Sequence, residues 1–132
     1  MTDIADDIAD WLYPTIESEM NGAQVLAADG DLLRTLGEKT LGPGGGEKFI
    51  DHISGSSQVK LNIIQRYRAT REVVVAFRRR VASGESLSTE DTLALTRATI
   101  RDETLSEVLS YLAAGYYLRP GFREEWRPAS QP

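Results

Sequence analysis

Residues 57–82 read SQVKLNIIQRYRATREVVVAFRRRVA. Within this stretch Ile63, Tyr67, Thr70, Val74, Phe77 and Val81 recur at spacings of 4, 3, 4, 3 and 4. That heptad rhythm gathers all six within about 80° of one another on an ideal helix. Gly55-Ser56-Ser57 precede the run as a start signal, and Ala82-Ser83-Gly84 follow it as a stop. The pattern predicts a central helix, roughly 39 Å long at about 1.5 Å per residue. Its apolar seam is long enough to serve a bundle core, a homodimer contact, or both.

Toward the N-terminus, Ile4, Ile8, Trp11 and Thr15 share one helical face, with Leu12 and Ile16 beside them. Asp3 is placed to cap this helix and acids fill its first turn, where the positive end of the helix dipole favours them. Pro14 lacks an N–H and its ring would meet the carbonyl of Asp10, so a kink or a fresh start is expected there. The helical pattern resumes to about Met20 and stops at Asn21-Gly22. A shorter helix is expected around 23–36, with a Leu32–Leu36 turn closed by Gly37. Leu41 to Gly46, with four glycines and a proline, reads as a loop or hinge, followed by a short apolar turn carrying Phe49, Ile50 and Ile53.

Toward the C-terminus, Ser88 with Asp91 three residues on resembles a capping box and starts a helix near residue 89. Leu93 and Ile100 point one way, whereas Leu105, Val108, Leu109, Leu112 and Tyr116 centre about 110° away, so one straight helix could not bury both sets. A break is therefore expected at Arg101-Asp102-Glu103, with Thr104 and Glu107 as a second capping box. Pro120-Gly121 ends helical structure, and residues 122–132 are expected to form a mobile tail in which Phe122 and Trp126 could dock back or meet a partner.

Size and composition narrow the chemistry. A chain of 132 residues with 41% apolar side chains supports one domain, taken here as residues 1–121. No run of 18 apolar residues occurs, and the first residues are acidic where a signal peptide would be basic, so a cytoplasmic protein is expected. The absence of cysteine excludes disulfides, thiolate metal sites and thiol nucleophiles. Twelve arginines against three lysines fit the usage of GC-rich bacteria and archaea. The net charge of −5 is uneven: residues 1–56 carry −8, residues 57–84 carry +6 and residues 85–132 carry −3. The acidic flanks could neutralise the basic helix from within, or that helix could meet an anionic partner.

No catalytic constellation stands out. His52 is the sole histidine and no Gly-x-Ser-x-Gly elbow accompanies it. The Gly42–Lys48 stretch lacks the Gly-Lys-Ser/Thr of a phosphate loop, and Glu47 would repel a phosphate. No Glu-x-x-His or His-x-x-x-His spacing offers a metal site, and no cofactor is implied. Two partner surfaces remain as candidates. The first is a basic stripe on the central helix, including Arg68, Arg71, Arg78 and Arg79, which would bind phosphates in a salt-dependent way. The second is the aromatic group Tyr117, Phe122 and Trp126.

The sequence thus predicts an all-α, five- or six-helix bundle around the 57–82 helix, and a non-enzymatic protein–protein interaction module: an adaptor, regulatory or assembly subunit. A protein partner is expected, with self-association through the Ile63–Val81 seam as one form of it. The competing expectation is a nucleic-acid-associated helical protein using the basic stripe. No membrane association is expected.

Overall fold

A computed structural model describes residues 3–28, 35, 39 and 45–128. Among them the chain is all-α, with helices α1 (Ile4–Ala28), α2 (Gly45–Ala82) and α3 (Thr89–Ala114) and a short 3₁₀ turn (Glu124–Trp126). Of the expected Leu32–Leu36 turn with its Gly37 cap only Thr35, which is helical, is described; the first part of the Gly42–Gly46 hinge and residues 129–132 lie outside the described residues.

Among the described residues three long helices stand where five or six were expected. Four anticipated breaks, at Pro14, Asn21-Gly22, Gly55-Ser56-Ser57 and Arg101-Asp102-Glu103, are continuous helix, and residues 23–28, expected to open a separate helix, continue α1. Helix α1 runs through Pro14. Proline inside a helix costs about 3 kcal/mol. Leu12 and Ile16, one on each side of it, are fully buried, and each such side chain returns about 1.5–3 kcal/mol. The Thr15 hydroxyl also donates to the Trp11 carbonyl at 2.8 Å, giving that turn an extra bond.

Helix α2 begins at Gly45, not near 57, so Gly45 and Gly46 are helical and Gly55 lies in the helix interior. An interior glycine costs about 1 kcal/mol. Burial of Leu61 and Ile64 just beyond it outweighs that cost. Helix α3 continues through Arg101-Asp102-Glu103. Thr104 does not cap a new helix; its hydroxyl folds back onto the Ile100 carbonyl at 3.0 Å. The two apolar faces are reconciled differently from the expectation: Leu93 and Ile100 are left outside, at 53% and 59% exposure.

The chain divides into two compact units, one of Met1–Ala9 with Ile63–Pro132, the other of Asp10–Asn62. Among the described residues of the second unit, Leu12, Ile16 and Ala23 of α1 and Ser57 and Leu61 of α2 are buried.

The first unit has its own core of Ala5, Ile8 and Ala9 from α1, Ile64, Tyr67, Thr70 and Val74 from α2, and Ala98, Leu109 and Ala113 from α3. Asp3 caps α1, its carboxylate accepting from the Ala5 amide at 2.8 Å. Within this unit α2 and α3 run antiparallel, as the pairs Arg80–Asp91 and Arg71–Asp102 require. The turn between them is a Schellman motif: Gly84 takes φ +91°, its amide donates to the Val81 carbonyl, and the Glu85 amide donates to that of Arg80. Ser88 then caps α3 by accepting from the Asp91 amide at 3.0 Å. The reciprocal half of a capping box is missing, because the Asp91 carboxylate is turned to Arg80 at 3.1 Å.

Residues 122–128, expected as part of a tail, fold back. Trp126 is 3% exposed and the 3₁₀ turn packs against α3. Phe122 meets Trp126 edge to face at 5.9 Å, and Arg123 stacks on the Trp126 ring.

Candidate functional site

The predicted self-association seam is split by the fold. Tyr67, Thr70 and Val74 are buried in the chain itself, Ile63 and Phe77 are half-buried, and Val81 is 50% exposed. The buried face of α2 runs through Ser57, Leu61, Ile64, Tyr67, Thr70 and Val74, rotated toward Ile64 from the heptad line. Tyr67 and Val74 therefore have no surface left for a dimer contact.

The predicted basic stripe is divided as well. Arg71 is only 17% exposed and faces three carboxylates: Asp3 at 2.9 Å, Asp102 at 3.2 Å and Asp6 at 3.9 Å. Its Nε–H donates to the Tyr67 hydroxyl at 3.1 Å, and that hydroxyl donates to Asp6 at 2.6 Å. Burial pulls the Arg71 pKa down, but the Tyr67 bond and the surrounding negative charge outweigh this, and the guanidinium is held charged. Tyr67 is pushed well above the usual phenol range, first by burial and then by its bond to Asp6. Arg68 is half-buried, whereas Arg78 and Arg79 are exposed. The acidic flank thus neutralises Arg71 and leaves Arg78 and Arg79, at the end of the stripe, exposed.

Of the predicted aromatic group, Trp126 is buried, Phe122 half-buried and Tyr117 exposed. Arg127 stacks over both Tyr117 and Phe122, at 5.1 and 5.5 Å from their centroids. These three aromatics form one local cluster. His52 is exposed on α2. Among the described residues no three His, Asp or Glu side chains converge as ligands for a metal ion, and no helix is long and apolar enough to cross a membrane.

A different surface emerges between α2 and α3 of the first unit. Arg66, Arg97, Ile100, Arg101, Thr104 and Leu105 line a shallow hollow of about 460 Å³. A second hollow of about 360 Å³ is lined by Ala69, Thr70, Val73, Ala94 and Ala98 together with Arg97 and Arg101. The two share both arginines and so form one groove. Its floor is apolar and built of small side chains. Arg66, Arg97 and Arg101 are exposed, and among the described residues none of them has an acidic partner within 4 Å. No acid stands three or four residues from any of the three on its own helix. Arg97 and Arg101 repel one another across a single turn. The Thr104 hydroxyl already donates its proton to the Ile100 carbonyl, leaving guanidinium groups as the side-chain donors of the hollow around Ile100.

Along α3, Leu93, Ile100 and Tyr111 stand 7 and 11 residues apart, which at 100° per residue aligns them within about 20°. All three are more than half exposed. Sequence reasoning missed this face because it required Leu93 and Ile100 to be buried. The available signal was the lack of acids three or four residues from Arg97 and Arg101. Comparison with protein-family models, with curated proteins and with solved structures finds no match to this chain.

Proposed function

We propose that this chain is a helical protein–protein interaction module that works by binding, not by catalysis, in the cytosol. The observation that carries the reading is the stripe of Leu93, Ile100 and Tyr111 turned to solvent along α3. Three large apolar residues exposed along one helix face, beside an apolar groove, give another helix a line of anchors to cover. The competing reading, a nucleic-acid-associated protein using Arg68, Arg71, Arg78 and Arg79, has less support. Arg71 is already surrounded by carboxylates, and binding by a reduced set of guanidiniums would make no use of the apolar face.

The test is a photoreactive phenylalanine analogue placed at position 100, with position 59 as the exposed control, in cells that make the full chain. The reading expects a discrete adduct from position 100 that Leu93→Asp abolishes. Mass spectrometry of the adduct separates a second copy of this chain from another protein. A chain that stays monomeric and gives no adduct from position 100 above the control would overturn the reading.

A further inference from the structure

We propose that the groove between α2 and α3 receives an acidic amphipathic helix of a partner protein, laid along it as a third helix. The inference rests on the interaction reading above and adds the chemistry of the occupant. Three features of the groove carry it.

The first is length. The lining of α3 runs from Ala94 to Leu105, about three helical turns and roughly 17 Å at 1.5 Å per residue. The second is depth. Ala69, Ala94 and Ala98 form the floor, and such small side chains let a helix axis approach to about 8–10 Å. Val73, Ile100 and Leu105 stand ready to meet apolar residues of the incoming helix.

The third is charge. Arg97 and Arg101 are four residues apart on one helix, and carboxylates at i and i+4 on an opposing helix reproduce that spacing of about 6 Å. Arg66 presents a third guanidinium from the α2 side. The arrangement disfavours a symmetric second copy as the occupant, since an isologous contact would set these arginines against themselves. It also disfavours nucleic acid, whose backbone would leave the apolar floor uncovered.

Fluorescence anisotropy on the full chain tests this with lactam-bridged 14-residue peptides. One carries leucines at i, i+3 and i+7 flanked by glutamates at i, i+4 spacing; in the second lysines replace the glutamates, and in the third serines replace the leucines. A 12-base-pair DNA duplex is the fourth probe. The acidic amphipathic peptide should bind, and the lysine and serine peptides should bind at least tenfold more weakly. Arg97→Glu with Arg101→Glu should reverse the preference between the glutamate and lysine peptides. Both sites are exposed, so the variant should keep its helicity, and Arg97→Gln with Arg101→Gln should give an intermediate loss.

Equal binding of all three peptides, no binding of the acidic one, or binding indifferent to the arginine changes would each overturn the proposal. Tighter binding of the duplex with the same arginine dependence would replace the helix with a phosphate backbone. If the position-100 adduct forms while the acidic peptide does not bind, the interaction module stands and only the acidic helix is lost.

Discussion

The Nε of Arg71 lies 3.2 Å from an Asp102 oxygen that is buried and accepts no hydrogen bond. The one Nε–H of that guanidinium is directed to the Tyr67 hydroxyl instead. Asp102 is therefore a buried charge held by the nearby charges of Arg71 and, farther off, Arg78 without a hydrogen bond to its buried oxygen, while Arg71 has Asp3 and Asp6 as further counter-charges. The two ends of this ion pair should respond very differently to removal.

Arg71→Met removes the nearest cation from the Asp102 carboxylate, 8% exposed, and leaves it the more distant charge of Arg78. Loss of one partner of a buried pair costs about 3–5 kcal/mol, and a urea midpoint lowered to match is expected. Asp102→Asn leaves Arg71 with two carboxylates and should be no less stable than the parent at pH 7. A larger loss in Asp102→Asn than in Arg71→Met would refute this division of roles.

Burial raises the Asp102 pKa more than the Arg71 charge lowers it. A carboxyl whose folded pKa lies above its unfolded one contributes stability that is complete below the unfolded value. That contribution is lost as pH rises through the folded value. Glu85 and Glu124 are shifted the other way by hydrogen bonds from Arg80 and Arg127, so their contributions fade as pH falls. Across about pH 4 to 6, where carboxylates titrate, Asp102→Asn should gain on the parent as pH rises. Urea titrations at four pH values check this, and an Asp102→Asn variant that instead loses ground to the parent as pH rises would show the Arg71 charge dominating.

Gly84 sits at φ +91° with open space where a Cβ would go. Alanine there meets no clash but must hold a left-handed backbone, at a cost of about 1–2 kcal/mol. Gly84→Ala is expected to lower stability by that amount. Gly55→Ala, in the interior of α2 with open space around it, should instead raise stability by up to about 1 kcal/mol. Paired thermal melts decide it, and equal shifts of the same sign would contradict the assigned conformations.

Leu109 and Ile100 lie on the same helix with opposite fates. Leu109→Ala should cost about 2–5 kcal/mol as a cavity in the core. Ile100→Ser should change stability by less than about 0.5 kcal/mol. A large loss from Ile100→Ser would mean that the α3 stripe is packed rather than open.

The all-α class, the Gly84 stop, the Ser88 start and the burial of Tyr67, Thr70 and Val74 were legible because each rests on local chemistry or on helical period. The junctions at Pro14, Asn21-Gly22, Gly55 and Asp102 were not. Each break signal costs only about 1–3 kcal/mol, and burial of neighbours such as Leu12, Ile16, Leu61 and Ile64 exceeds it. The groove was hidden for a related reason. Which face of α3 stays outside depends on what covers the other, and Asp102 faces inward only because Arg71 is there to meet it.

The chain holds two tryptophans, and the fold puts one in each compact unit: Trp11 in residues 10–62 and Trp126 in the other. Trp126 is buried beneath Arg123, and Trp11 is half-buried. Trp11→Phe and Trp126→Phe therefore each leave a single emitter whose spectrum belongs to one unit. The protein carries a built-in gauge of its own cooperativity: coincident emission transitions would mark one folding event, and separated ones would mark two.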